Sequence, residues 1–121
     1  MLRQLAGQLE ACGLGRADGD IFWGRMPYSP DGCLCLFSAD SGLPGRDGGE
    51  EVQIVSRDTA PGAAYEKACA VARALDGFNG FLAGDGALAR IDVLTGAAGM
   101  GADGKKRELY RTELRVRCCG E

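Results

Sequence analysis

The sequence predicts an α+β fold: a mostly antiparallel sheet packed under two helices, with two long loops at about residues 38–51 and 95–107. Two observations lead to this prediction. Short runs of β-branched, aromatic and apolar residues are separated by turn residues, which is typical of strands. Two other stretches place apolar or small side chains at spacings of three and four, which is typical of amphipathic helices. At 121 residues, we expect the chain to form a single domain, 1–121.

The first part of the chain is organised around a proline-rich corner. Residues 2–12 have a leucine stripe that predicts a short helix. Residues 21–23 and 33–37 have the apolar character of strands. Between them, Pro27 and Pro30 each fix φ and remove a backbone N–H, so a continuous ladder cannot cross this interval. We therefore expect two strands that meet at a rigid corner.

The middle of the chain alternates between loops and regular elements. Residues 38–51 have no apolar period and are rich in glycine and acidic side chains, which predicts a long exposed loop. Residues 52–57 predict a strand. Pro61 is suited to the first turn of a helix over residues 61–76, whose predicted packing stripe is small and apolar: Ala64, Ala68, Val71 and Leu75.

The last part of the chain predicts two strands around a second long loop. Residues 88–94 predict a strand, and the glycine-rich stretch 95–107 ends in three consecutive cations. Residues 108–118 alternate between apolar and charged side chains, which predicts a strand with one buried face. The charged face holds Arg111, Glu113, Arg115 and Arg117.

Composition limits the classes of function. The hydrophobic fraction of 45% and charged fraction of 26% are those of an ordinary globular protein, and no apolar run is long enough for a membrane helix. The net charge of −3 argues against tight capture of nucleic acid through its phosphates. No signal peptide is apparent, so the six cysteines are expected to be reduced thiols rather than a disulfide framework.

The residues offer little catalytic or cofactor chemistry. The chain has no histidine, which removes the commonest general base and many zinc ligands. Four thiols could in principle hold zinc or simply be small buried side chains, and this alternative stays open: Cys33, Cys35, Cys118 and Cys119. The stretch 96–104 lacks the ending of a phosphate-binding loop and does not open a helix. We therefore expect no enzyme, no cofactor and no metal.

The order of motifs resembles the minor capsid or tail terminator (head–tail joining) proteins of tailed bacteriophages, over residues 12–117. The most specific part is the Phe-x-Gly-x-Met-Pro-x-x-Pro-Asp stretch from Phe22 to Asp31, followed by Val-Gln-Ile-x-x-Arg from Val52 to Arg57. The alanine-rich helix that ends at Gly77 follows in the same order.

The resemblance implies a structural virion protein, made in the bacterial host cytoplasm. It would form a homo-oligomeric ring, by analogy a hexamer, that caps the tail tube and joins it to the head–tail connector. Passing DNA would not bind tightly, and no membrane would be involved. An acidic loop facing the lumen or the tube would repel DNA phosphates; its carboxylates are Asp40, Asp47, Glu50 and Glu51.

The ring that the resemblance implies also suggests roles for two further groups of residues. The loop before the last strand would contact a partner protein through Asp103, Lys105, Lys106 and Arg107. Contacts between unlike surfaces of neighbouring subunits would use the alternating face of the last strand, namely Arg111, Glu113, Arg115 and Arg117. Two alternatives remain at this point: a soluble binding or adaptor module of the same α+β shape with no virion role, and a small enzyme.

Overall fold

The computed structural model describes residues 2–38, 49–83 and 88–118. Within these ranges the chain forms two helices and six strands. In chain order they are α1 (Leu2–Ala11), β1 (Ile21–Trp23), β2 (Cys33–Ser38), β3 (Gly49–Asp58), α2 (Ala63–Leu75), β4 (Asn79–Phe81), β5 (Leu88–Ala102) and β6 (Glu108–Cys118).

The strands form one mixed sheet in the order β1-β2-β3-β6-β5-β4. β1 runs parallel to β2, with Ile21 opposite Leu34 and Trp23 opposite Leu36. The other neighbours are antiparallel, and β3 and β6 pair without interruption over the whole length of β3. The parallel pair makes this a mixed sheet of six strands. The predicted fold class, a mostly antiparallel sheet packed under two helices, is therefore wrong.

The proline corner is the physical reason for the parallel pair. In a parallel pair, the chain must return to the end at which the first strand began before the second strand starts. Residues 24–32 make that return, and the peptide bond between Ser29 and Pro30 is cis. A strand–corner–strand pattern fits either direction of the second strand, because side-chain alternation carries no information about strand direction.

The predicted loop at 95–107 is also wrong, because β5 continues to Ala102. Its glycines and alanines have low strand propensity and no alternation, so the local sequence does not predict a strand. The long partner β6 supplies the hydrogen-bonding ladder, and three register shifts between Val93 and Gly101 accommodate the irregular segment. Most of the other predicted loop, residues 39–48, lies outside the described residues, and residues 49–51 belong to β3.

The main hydrophobic core receives side chains from both helices and from alternate positions of the strands. Leu5 and Leu9 of α1 are fully buried, and so is the predicted stripe of α2. The prediction that β6 buries one face is confirmed by Thr112, Leu114 and Val116. A second, small cluster lies on the opposite side of β2 and consists of Phe22, Cys33 and Cys35, with Phe37 packed against it.

Candidate functional site

The buried side chain of Arg57 holds the proline corner against the sheet. Arg57 lies near the end of β3 and is only 2% exposed. Its Nε donates to the carbonyl oxygen of Asp31 at 3.1 Å, and its Nη2 donates to that of Pro30 at 2.6 Å. A buried guanidinium is costly unless hydrogen bonds satisfy it. Arg57 and the corner therefore depend on each other.

A second buried arginine, Arg107, ties the corner to the turn between β5 and β6. Its Nη1 donates to the carbonyl oxygen of Tyr28 at 2.6 Å and to Asp31 Oδ1 at 3.2 Å. Its Nε donates to Asp103 Oδ2 at 2.7 Å. Together with Arg57, the corner and the turn thus form one hydrogen-bonded unit, which we call the corner–turn platform (residues 26–32, 57 and 103–107).

Asp103 organises the turn half of the platform. Its Oδ1 accepts the backbone N–H groups of Lys105 at 2.9 Å and Arg107 at 3.0 Å. Desolvation by itself raises the pKa of the Asp103 carboxyl. The N–H donors of Arg107 and Lys105 and the guanidinium charge outweigh that effect, so its pKa lies below the ordinary value of 3.8.

The turn is therefore expected to lose stabilisation in acid. A carboxyl whose folded pKa is depressed contributes stability that is present above its unfolded pKa and is lost as the pH falls through the folded pKa. Between pH 6 and pH 2, the amide proton shifts of Lys105 and Arg107 should titrate with a midpoint below 3.8. Asp103→Asn should abolish this titration. A midpoint at or above 3.8 would contradict the assignment.

The outer side of the platform presents an ordered aromatic residue to solvent. Tyr28 is 71% exposed and Met26 is 39% exposed. Lys105 Nζ lies 4.2 Å from the centroid of the Tyr28 ring, and the guanidinium carbon of Arg107 lies 5.6 Å from it. An exposed tyrosine that is held by cations and whose backbone is fixed loses little conformational freedom when a partner binds.

The charged side chains of β6 lie on the face of the sheet opposite the main core. Arg115 Nη2 is 3.1 Å from Glu51 Oε2 on β3, and Arg111 Nε is 3.8 Å from Glu113 Oε2. In register, Arg115 also lies opposite Asp92 of β5. This half-exposed face carries both signs of charge, which suits contact with another charged surface.

Comparison with known proteins identifies the family. A family model described as bacteriophage tail terminator protein matches residues 8–117. The chain belongs to the bacteriophage tail terminator family. The fold is similar to a chain in a solved structure described as the virion of a native gene transfer agent (GTA) particle. The TM-score is 0.61 and the identity 22%, over 97% of this chain and 94% of that chain. No match was found among curated proteins.

Membership of the tail terminator family makes this chain a structural component of a phage virion. The resemblance and the virion location expected from the sequence are thereby confirmed. In the described part of the chain, neither helix is long and apolar enough to span a membrane.

The predicted site residues of this chain lie in different environments. Arg107 and Asp103 bond to each other inside the platform, whereas Lys105 and Lys106 are exposed. Glu50 and Glu51 are neighbours in β3, so their side chains point to opposite faces of the sheet. Asp40 and Asp47 lie outside the described residues, and the role of the acidic group stays a prediction.

Sequence reasoning missed three residues of the platform. Tyr28, Asp31 and Arg57 belong to the motifs of the sequence, but no site role is predicted for them. One signal is available, because Arg57 follows the apolar residues Val52, Ile54 and Val55 in the same strand, and a cation in a buried strand needs hydrogen-bond acceptors nearby. The acceptors are backbone carbonyls of the corner, whose proximity depends on the parallel pairing of β1 and β2.

The four-cysteine zinc site is incompatible with the sheet. Cys33 lies opposite Arg57, and Arg57 lies opposite Leu109 near the start of β6. Cys118 is at the other end of β6, about 30 Å away at 3.3 Å per residue. Among the described residues, no three His, Cys, Asp or Glu side chains are close enough together to hold a metal ion.

Proposed function

We propose that this chain forms a hexameric ring that caps the tail tube, joins it to the head–tail connector and lets DNA pass, without enzymatic activity. The observation that carries the proposal is the family match, which spans residues 8–117 and so includes the whole platform and the charged face of β6. The dimensions are compatible with it. A chain of this length has a diameter of roughly 35 Å, and six touching spheres leave a central opening about as wide as one of them.

The corner–turn platform is the surface that we assign to a partner protein, either the tail tube or the connector. Its buried arginines fix the backbone of the corner, while Tyr28, Met26 and Lys105 stay accessible. Tyrosine and other large side chains on a rigid support supply much of the binding energy in protein interfaces. The platform therefore contributes affinity without the cost of ordering a loop.

The charged face of β6 is the surface that we assign to the neighbouring subunit. In a ring, each subunit contacts its neighbours through two different surfaces. A face with both signs of charge fixes the register of such a contact. Its ion pairs are half exposed, so exchanging an internal partner for one on the neighbour costs little.

This assignment predicts different effects of Arg115→Ala on stability and on assembly. The pair with Glu51 has side chains that are 37% and 47% exposed, so the free energy of unfolding should change by less than about 1 kcal/mol. Ring formation on tail tubes should nevertheless weaken about tenfold or more. Urea denaturation and quantitative electron microscopy measure the two effects. Unchanged ring assembly would rule out a role of Arg115 at the contact.

The acidic group is proposed to face the lumen or the tube through Asp40, Asp47 and Glu50. Glu51 points to the face of the sheet opposite Glu50 and pairs with Arg115, so it is left out of the test. Replacing Glu50 with lysine would attract DNA phosphates instead of repelling them. We expect fewer infectious particles per assembled particle, because DNA would move more slowly through the neck. Wild-type infectivity of the Glu50→Lys variant would refute this placement.

The ring function is tested by deleting the gene for this chain from the genome that encodes its phage or phage-like particle. We expect filled heads and separate tails, with joining restored when the wild-type chain is supplied. Normally joined particles in the absence of the chain would refute the proposed function.

A further inference from the structure

At the proline corner, the sulfur of Cys35 contacts two other sulfur atoms. Cys33 Sγ is 3.7 Å from Cys35 Sγ, and Cys35 Sγ is 3.4 Å from Met26 Sδ. Cys33 and Cys35 are 2% and 0% exposed, and Met26 is 39% exposed. The two thiols are therefore shielded by protein, whereas the side chain of Met26 reaches the surface.

The two thiols are poorly placed for a disulfide. Cys33 and Cys35 occupy positions on the same face of β2, and the ladder between β2 and β3 passes both without a register shift. Two residues of a regular strand span about 6.8 Å between their Cα atoms, which is the upper limit for a disulfide. A bridging atom between the sulfurs would span the distance without moving the strand.

We propose that Met26, Cys33 and Cys35 bind one soft monovalent cation, Cu(I), through two thiolates and one thioether. Thiolate and thioether ligands select Cu(I), whereas zinc requires about four nitrogen, oxygen or thiolate ligands. Metal–sulfur bonds of about 2.3 Å place the sulfurs of a trigonal site about 4 Å apart. The separations of Cys35 Sγ from Cys33 Sγ and from Met26 Sδ, 3.7 and 3.4 Å, are close to that value.

A buried cation lies next to the cluster. Arg57 is directly opposite Cys33 in the ladder between β2 and β3, and its side chain is 2% exposed. Binding would release the protons of both thiols to solvent, and the guanidinium charge of Arg57 would offset the net negative charge of a Cu(I) ion with two thiolates.

Such an ion would close the proline corner. Met26 comes directly before Pro27, and Cys33 begins the strand that follows the corner. One cation would link both ends of this segment to each other. Binding should therefore stabilise the folded protein in addition to the two buried arginines.

The test is an anaerobic titration of the reduced protein with Cu(I) in the presence of a chromophoric Cu(I) chelator. We expect one equivalent to be withdrawn from the chelator, with a thiolate-to-copper charge-transfer band and a higher melting temperature. Cys33→Ser should abolish all three signals. Met26→Leu, which conserves side-chain volume, should fold normally and weaken binding about tenfold. A variant in which the other four cysteines are replaced with serine should still bind one equivalent of Cu(I). These cysteines are Cys12, Cys69, Cys118 and Cys119.

Each result decides the proposal. Loss of binding in Cys33→Ser, weaker binding in Met26→Leu and retention in the four-serine variant support it. The proposal is overturned if the wild-type protein withdraws no Cu(I), or if the four-serine variant binds none. Equal affinity of wild type and Met26→Leu would also overturn it, because the third sulfur would then not be a ligand.

Discussion

Arg57→Met is expected to lower the free energy of unfolding by about 3 kcal/mol. Methionine keeps most of the side-chain volume of arginine but cannot donate, so the carbonyl groups of Pro30 and Asp31 lose their partners. A hydrogen bond to a charged group contributes about 1.5–3 kcal/mol, and two such bonds are lost. Urea denaturation followed by circular dichroism measures the change, with the slope of the transition as a check on two-state behaviour.

The matched control for this prediction is Arg73→Met, on the exposed side of α2. It makes the same chemical change on the surface, where substitutions stay within about 0.5 kcal/mol. If Arg57→Met were as mild as the control, the buried arginine would not be what holds the corner, and the platform would need another explanation.

Replacing Tyr28 with serine and Lys105 with glutamate is expected to leave the protein folded but to weaken the joining of heads to tails. Both side chains lie on the outer surface of the platform, so the fold should remain intact. Removing a central aromatic residue typically costs about 2 kcal/mol or more at an interface, which weakens binding about 30-fold or more. The fraction of heads with attached tails, counted by electron microscopy, and the particle titre should fall accordingly.

Tyr65→Ser is the matched control for the tyrosine. Tyr65 is also exposed, at 48%, but it lies on α2 and contacts the ring of Tyr110 rather than the platform. Its replacement should leave joining unchanged. Equal loss of joining in both variants would show that the effect does not come from the platform.

The sequence was sufficient where local patterns decide the structure. The stripe Ala64, Ala68, Val71 and Leu75 and the alternation in β6 predicted which faces are buried, because both depend only on periodicity. Periodicity could not predict the direction of β2 relative to β1, nor the continuation of β5 to Ala102. Those features depend on pairing with distant strands.

In the candidate site as well, the local sequence predicts some features, and contacts between distant residues decide the others. The cations before β6 were predicted to contact a partner as a group, but the structure separates them. Arg107 points inward to Tyr28, Asp31 and Asp103, and Lys105 lies against the exposed Tyr28 ring. Three consecutive cations look alike in sequence. Only the position of the corner on the sheet decides which one is buried.

The most direct test of the proposed ring is negative-stain electron microscopy of the purified protein mixed with tail tubes from the same particle. We expect a ring with six-fold symmetry at one end of each tube and an open centre wide enough for duplex DNA. The Arg115→Ala variant should leave most tube ends bare. Tube ends that remain bare with saturating wild-type protein, or that bind it without forming a closed ring, would contradict the proposed function.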